Sequence, residues 1–315
     1  KIGMEQKYVL KNISAFLHSI ERNEKVHYGK KLDFYHNRQA FTEDAWRMGE
    51  FMQNSENGIR INKFLSEAGV CSRREADREI EAGNVRIGER VAVTGDRVMP
   101  EDQVFFRERP VKKEEEMILL VVNKPAGIVC TAEKREKNNI VDFIHYPKRI
   151  YPVGRLDKDS EGLILMTNNG EIVNKIMRAG NRHEKEYIVT VNREVTGSFL
   201  HGMANGVPLT ELGVTTRKCK VEKLGKHQFK IILTQGLNRQ IRRMCEYFGY
   251  RVTHLKRVRI MNIRLGDLEN GTYRKITEEE WKTLQRLIRD SSSETVKQKS
   301  KGRTTGWMQK QESKN

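Results

Sequence analysis

From residue 118 onward the apolar residues come in short, β-branched runs, and that grouping limits the fold more than any other feature. Ile118–Val122 is such a run, and Lys124-Pro125-Ala126-Gly127 closes it in a turn. A run of this length, bounded by Pro and Gly, reads as a buried strand. Gly162–Met166 is a second strand, turned at Asn168-Asn169-Gly170 into a helix over Glu171–Arg178. Glu186–Asn192 and Gln228–Thr234 read as a third and a fourth, and Arg239–Phe248 as a helix that Gly249 ends. Strands and helices mix without βαβ regularity, and no Gly-x-Gly-x-x-Gly loop is present. The pattern predicts an α+β domain over 118–288 with a mixed, mostly antiparallel sheet.

Residues 59–108 follow a different period. Ile61, Phe64, Leu65 and Ala68 recur at helical spacing, with Gly69 as the stop. Ser72-Arg73-Arg74-Glu75 has the form of a capping box, and Ala76, Ile80 and Ala82 carry a second helix to Gly83. Short strands at Val85–Ile87, Val91–Val93 and Val104–Phe106 complete a small helix–turn–helix plus β domain. Residues 109–117, charged and containing Pro110, read as a linker. Residues 1–58 read as an N-terminal extension, with Val9, Ile13, Phe16, Leu17 and Ile20 on one face of a helix. Residues 289–315, rich in Ser, Lys and Gln, read as a disordered basic tail.

Charge then narrows the partner. The 315 residues include 59 Lys+Arg against 42 Asp+Glu, a formal net charge of +17. Such an excess most often meets a polyanion, which makes nucleic acid the expected partner. Arg60, Lys63, Arg73, Arg74 and Arg78 crowd into the two helices of 59–83, where they suit a phosphate-binding surface. No apolar stretch is long enough to span a membrane, and neither a secretory signal nor a basic amphipathic helix with aromatic anchors is visible. Cys71, Cys130, Cys219 and Cys245 lie far apart, which argues against a zinc finger or a disulfide scaffold and for a reducing cytosol. No feature marks an oligomer interface, so a monomer is the default.

Three segments carry candidate chemistry. Gly154-Arg155-Leu156-Asp157-Lys158-Asp159-Ser160-Glu161-Gly162 is a dense charged loop between apolar strands, suited either to a functional loop on a rigid sheet or to a solvated turn. Its acidic spacing imitates the start of a calcium loop, but Asn168 stands where a bidentate Glu is needed. In Lys185-Glu186-Tyr187-Ile188-Val189, Tyr187 alternates with Val189 and Val191 and shares their face of the strand. In Gly236–Met244, Arg239, Arg242 and Arg243 have the spacing of one helix face near its N-terminal end. The helix dipole disfavours cations there, so they want a phosphate or a protein carboxylate. Neither a nucleophilic-serine elbow nor zinc spacing is present, and an enzyme built on these residues is expected to work without metal or organic cofactor.

In this order, Gly154-Arg155-Leu156-Asp157, Lys185-Glu186-Tyr187 and Asn238-Arg239-Gln240-Ile241-Arg242-Arg243-Met244 closely resemble the motifs of bacterial ribosomal RNA pseudouridine synthases of the RsuA type. Asn123-Lys124-Pro125-Ala126-Gly127 is similar to the leading motif of that family, and 59–108 to the RNA-binding domain first seen in small-subunit ribosomal protein four. Further stretches, such as His183-Glu184-Lys185-Glu186-Tyr187, are most similar to a branch acting on 23S ribosomal RNA. The resemblance covers residues 59 to about 290. It implies that Asp157 is the catalytic aspartate, acting on the ribose or base or on a ribose proton. It implies that Tyr187 stacks on the uracil, Arg242 pairs with the aspartate, Arg155 fills the gap left by a flipped base, and Leu233 walls the pocket. Arg239 and Arg243 are then expected to bind substrate, and a transfer RNA with a similar loop is a second expected substrate. The alternatives are a non-catalytic ribosome-associated RNA-binding protein and a metal-dependent hydrolase using Asp157 and Asp159.

Overall fold

The structure, a computed structural model, describes residues 58–112, 116–289 and 291. The helix expected within the N-terminal extension and the basic tail beyond Ser291 lie outside the described residues.

Two helices open the smaller half, α1 (Ile61–Glu67) and α2 (Arg73–Glu81). Ile61 and Leu65 of α1 pack with Ala76 and Ile80 of α2 and with Val85 and Val104 of the sheet that follows. The capping box forms: Ser72 Oγ accepts from Glu75 N–H, and Glu75 carboxylate accepts from Ser72 N–H. A four-stranded sheet follows, made of β1 (Val85–Ile87), β2 (Arg90–Val91), β3 (Val104–Phe106) and β4 (Arg109–Val111) in the antiparallel order β2-β1-β3-β4. The sequence placed Arg109–Val111 in a linker, but these residues form an edge strand. Pro110 is tolerated there because an edge strand needs no inward N–H at that position. The second of the expected strands is also shorter, ending at Val91.

The larger half is built on β5 (Leu119–Lys124), α3 (Ile140–Ile144), β6 (Tyr151–Pro152), β7 (Glu161–Thr167), α4 (Gly170–Met177), β8 (Lys185–Val191), α5 (Gly197–Ala204), β9 (Lys220–Gly225), β10 (Gln228–Leu233), α6 (Gln240–Tyr247), β11 (Val252–Ile260), β12 (Ile263–Arg264), β13 (Tyr273–Lys275) and α7 (Glu278–Ile288). Its nine-stranded sheet runs β9-β10-β8-β11-β7-β5-β13, with β12 on β11 and β6 on β7. Its strands pair antiparallel except β7 with β11, where Glu161 meets Lys256 and Gly162 meets Arg257. The continuous apolar runs follow from burial on both faces. Leu119 and Val121 face α4 and α7 through Ile172, Ile176 and Leu284. Ile118, Leu120 and Val122 face Ile140 and Ile144 of α3. On the other half of the sheet, Val189, Val191, Phe229 and Ile231 pack under α5 and α6.

The parallel seam needs a glycine. Gly162 has φ +98°, and a Cβ there would overlap the backbone carbonyl of Arg257 and sit 2.9 Å from its nitrogen. Only glycine lets β7 and β11 approach so closely in that conformation.

Candidate active site

The charged loop hangs between β6 and β7. Gly154, at φ +76°, starts it, and a Cβ at this position would overlap the Met177 side chain of α4. Leu156 is buried and anchors the loop in the α3 core, while the Asp157 side chain keeps 32% of its surface open. Ser160 N–H donates to the Asp157 carbonyl at 3.1 Å, closing a turn. Beneath that turn lies fully buried Lys124 at the end of β5, whose Nζ donates to the carbonyls of Pro125 (2.7 Å) and Lys158 (3.3 Å). Gly127 N–H donates to the same Lys158 carbonyl at 2.8 Å. Burial pulls the Lys124 ammonium below the usual lysine range, and the nearby Cys130, Asp159 and Asp157 oppose that shift.

Arg242 reaches the loop from α6. Its Nη2 donates to the Asp159 carbonyl (3.2 Å) and to Ser160 Oγ (3.3 Å), and its Nη1 to the Val252 carbonyl (3.4 Å). Its Nε is buried without a hydrogen-bond partner and lies 3.9 Å from Asp157 Oδ2. The guanidinium is thus held by main chain and hydroxyl, with one N–H left facing the half-open carboxylate. Glu161 turns away from this group and pairs with His254 at 3.0 Å.

Tyr187 sits where two cores meet, half-buried against the α3 cluster that holds Leu156 and against the α5–α6 cluster. Register puts it opposite Ile231 on β10 and Arg257 on β11. Lys185, Tyr187 and Val189 share one strand face, and Leu233, opposite Lys185, is buried on that face. The Arg257 guanidinium lies over the Tyr187 ring, 6.0 Å from its centroid.

The three arginines of 239–243 do not act as one face. Arg239 precedes α6 in the left-handed region (φ 48°) and is exposed. Only Arg242 points inward. Arg243 pairs with Glu211 and donates to the Asn238 carbonyl at 3.2 Å, so of the two expected anions, a phosphate or a protein carboxylate, it meets the carboxylate. Arg155 is exposed two residues before Asp157. On the helical pair, Arg60, Arg73, Arg74 and Arg78 are exposed, while Lys63 is engaged by Glu67 at 3.6 Å. Sequence reasoning assigned no role to Lys124, Lys185, Ser160 or Arg257. Lys124 and Lys185 stand inside the quoted motifs; Arg257 is one of three Lys or Arg residues in Val252–Ile260, and nothing in the sequence sets it apart from the other two.

A family model described as RNA pseudouridylate synthase matches residues 118–247, and an S4 domain model matches residues 59–104. The chain is 53% identical over 255 residues to the dual-specificity RNA pseudouridine synthase RluF of Salmonella typhi, covering 80% of this chain and 88% of that protein. It is 34% identical to the ribosomal large subunit pseudouridine synthase B of Bacillus subtilis, over 72% of this chain and 96% of that one. A crystal structure of a pseudouridylate synthase, 29% identical, superposes with a TM-score of 0.54 and covers 72% of this chain and 100% of its own.

Proposed function

This chain belongs to the RNA pseudouridine synthases of the RsuA type, with an S4 domain ahead of the catalytic domain, and from that premise we propose that it converts one specific uridine of 23S ribosomal RNA, and a similar uridine of a transfer RNA, to pseudouridine. Membership makes it an RNA-binding enzyme, an isomerase. The large-subunit target is supported by the name of the Bacillus relative, and a second RNA by the dual specificity in the name of the Salmonella relative. We place it in the cytoplasm as a single-chain enzyme. Among the described residues no helix is long and apolar enough to cross a membrane.

The reaction breaks the bond between ribose C1′ and uracil N1, turns the base and joins C1′ to C5. Nothing is oxidised and nothing leaves, so the demand on the protein is a charged, well-held carboxylate in a site that takes a base out of its stack. In this reading Asp157 supplies the carboxylate and acts on the ribose, either at C1′ or on a ribose proton. Arg242 stands beside it as the counter-charge, 3.9 Å away. Tyr187 offers the aromatic face for the flipped uracil, a contact of about 1–3 kcal/mol per stacked base. Arg155 occupies the gap in the RNA helix, Leu233 closes the apolar side of the pocket, Arg239 and Arg243 border the substrate, and Arg60, Lys63, Arg73, Arg74 and Arg78 hold the RNA by its phosphates.

The observation that carries the proposal is the Nε of Arg242, buried, unbonded and 3.9 Å from a half-open carboxylate. A protein that merely bound RNA would gain nothing from a carboxylate held where phosphates approach. The test is pseudouridine mapping of 23S rRNA and tRNA from cells lacking the protein, complemented with wild type or with Asp157→Asn. One mark in 23S rRNA and one in tRNA are expected to vanish, and wild type alone to restore them. Restoration by the Asn variant would remove Asp157 from its role; marks lost only from other RNAs would reassign the substrate.

A further inference from the structure

Among the described residues Arg257 is the largest fully buried side chain, with 1% of its surface exposed. Its Nε donates to the Leu163 carbonyl at 2.6 Å, and its Nη2 has no hydrogen-bond partner. No carboxylate pairs with it among the described residues. Lys185, also buried, adds a second cation nearby, and its ammonium is pushed down to about 8 by burial and by the charge of Arg257. An unpaired charge in the interior is costly, and proteins seldom keep one without compensation. The compensating anion is therefore one that is absent from the resting protein.

Position points to its nature. Arg257 is registered opposite Tyr187 and lies over that ring. It is also registered with Gly162, at the head of the strand that follows the Asp157 loop. Gly162 lets the two backbones close at this seam, so the guanidinium is fixed between the strand that carries the tyrosine and the strand that follows the aspartate.

We propose that Arg257 is a positioning residue that backs the Tyr187 ring and supplies the positive charge met by the uracil when its bond to the ribose breaks. This rests on the reading that Tyr187 receives the flipped uridine. When C1′–N1 breaks, the electron pair leaves with N1, and the stacked uracil carries a negative charge. The charge disappears once C5 has bonded to C1′, a proton has left C5 and one has reached N1. A fixed cation behind the stacking ring lowers the energy of the charged stage and needs no reorganisation, the arrangement that makes preorganised charge effective in catalysis. Because it acts in the interior, its field is little screened by water.

The test compares wild type, Arg257→Met and Arg257→Lys in the full-length protein under single turnover. The RNA is a 23S transcript made either with uridine or with 5-fluorouridine, and loss of the original nucleoside at the target is followed by nuclease digestion and chromatography. Fluorine at C5 stabilises negative charge on the departing ring. With the uridine transcript, Arg257→Met is expected to slow the reaction about 100-fold, the scale of losing one preorganised electrostatic group, while RNA affinity is unchanged. With the fluorinated transcript that gap should shrink to about tenfold or less, and Arg257→Lys should stay within about tenfold of wild type on either. Arg257→Met at the wild-type rate, or an equal loss on both transcripts, would overturn the proposal. If Arg257→Met does not fold, Arg257→Lys decides: its smaller defect must narrow with fluorine, and a defect equal on both transcripts overturns the proposal. Turnover by Asp157→Asn, or none by wild type, would instead overturn the reading on which it rests.

Discussion

Lys185 has lost nearly all contact with water and gained only a long, 3.5 Å hydrogen bond to the His183 carbonyl. Its ammonium is pushed down to about 8, first by burial and then by Arg257, against about 10.4 for a lysine in the unfolded chain. Between those two values the unfolded state binds more protons, so stability rises with pH across that window. Below about 8 the full cost of holding the charged form is present, on the order of 3 kcal/mol. Lys185→Met is therefore expected to melt several degrees higher than wild type at pH 7, and the difference should shrink as pH rises towards 10. Thermal melts of both proteins across that range check it; a difference that does not change with pH would contradict the assignment. At the same scale, Asp157 and Tyr187 were legible in the sequence because motif order singles them out. The buried cations were not. Lysine and arginine are read as surface residues from composition, and only packing shows that Lys124, Lys185 and Arg257 lie inside. Arg239 was misplaced for a related reason: spacing cannot reveal that the chain enters α6 through a left-handed residue.

Among the elements, α2 owes its start to a single side chain. Ser72 Oγ accepts from Glu75 N–H at 3.2 Å, and the return bond from Ser72 N–H to Glu75 is 3.4 Å. Arg73 and Arg74 follow at once, at the positive end of the helix dipole, where cations are unfavourable. The cap thus stabilises a helix whose first turn is otherwise strained by charge. Ser72→Ala should cost about 1 kcal/mol. It should show as faster amide exchange in α2 with little change in the sheet of the catalytic half. Unchanged exchange in α2 would mean that packing of Ala76 and Ile80 alone sets the start. The capping box could be read from the sequence because it is local, four residues in a row. The parallel pairing of β7 with β11 could not, since it joins segments far apart in sequence and apolar periodicity does not name a strand's partner. Arg109–Val111 escaped notice because proline argues against a strand except at an edge, and an edge is defined only once the sheet is assembled.

At the scale of the whole molecule, a formal charge of +17 must be divided between positions that meet RNA and positions that serve the fold. The ion pairs make part of that division. Arg243 is engaged by Glu211, Arg259 by Glu184 and Glu186, and Arg274 by Glu280. Arg73 and Arg74 are exposed with no carboxylate partner among the described residues, at a helix end that would reject them without an anion. Each phosphate they neutralise releases counterions, worth a slope of about 0.7 to 0.9 in log affinity against log salt. The double variant Arg73→Ala/Arg74→Ala should flatten that slope by about 1.5 in filter-binding titrations with KCl. Phosphate contacts carry no sequence information, so affinity should fall by a similar factor for a 23S transcript and for an unrelated structured RNA. The single-turnover rate at saturating RNA should stay at the wild-type value, because the groups proposed to break the bond, Asp157 with Arg242, lie on the other domain. A slope equal to that of wild type would show that these arginines face solvent in the complex and that the charge excess works elsewhere on the chain.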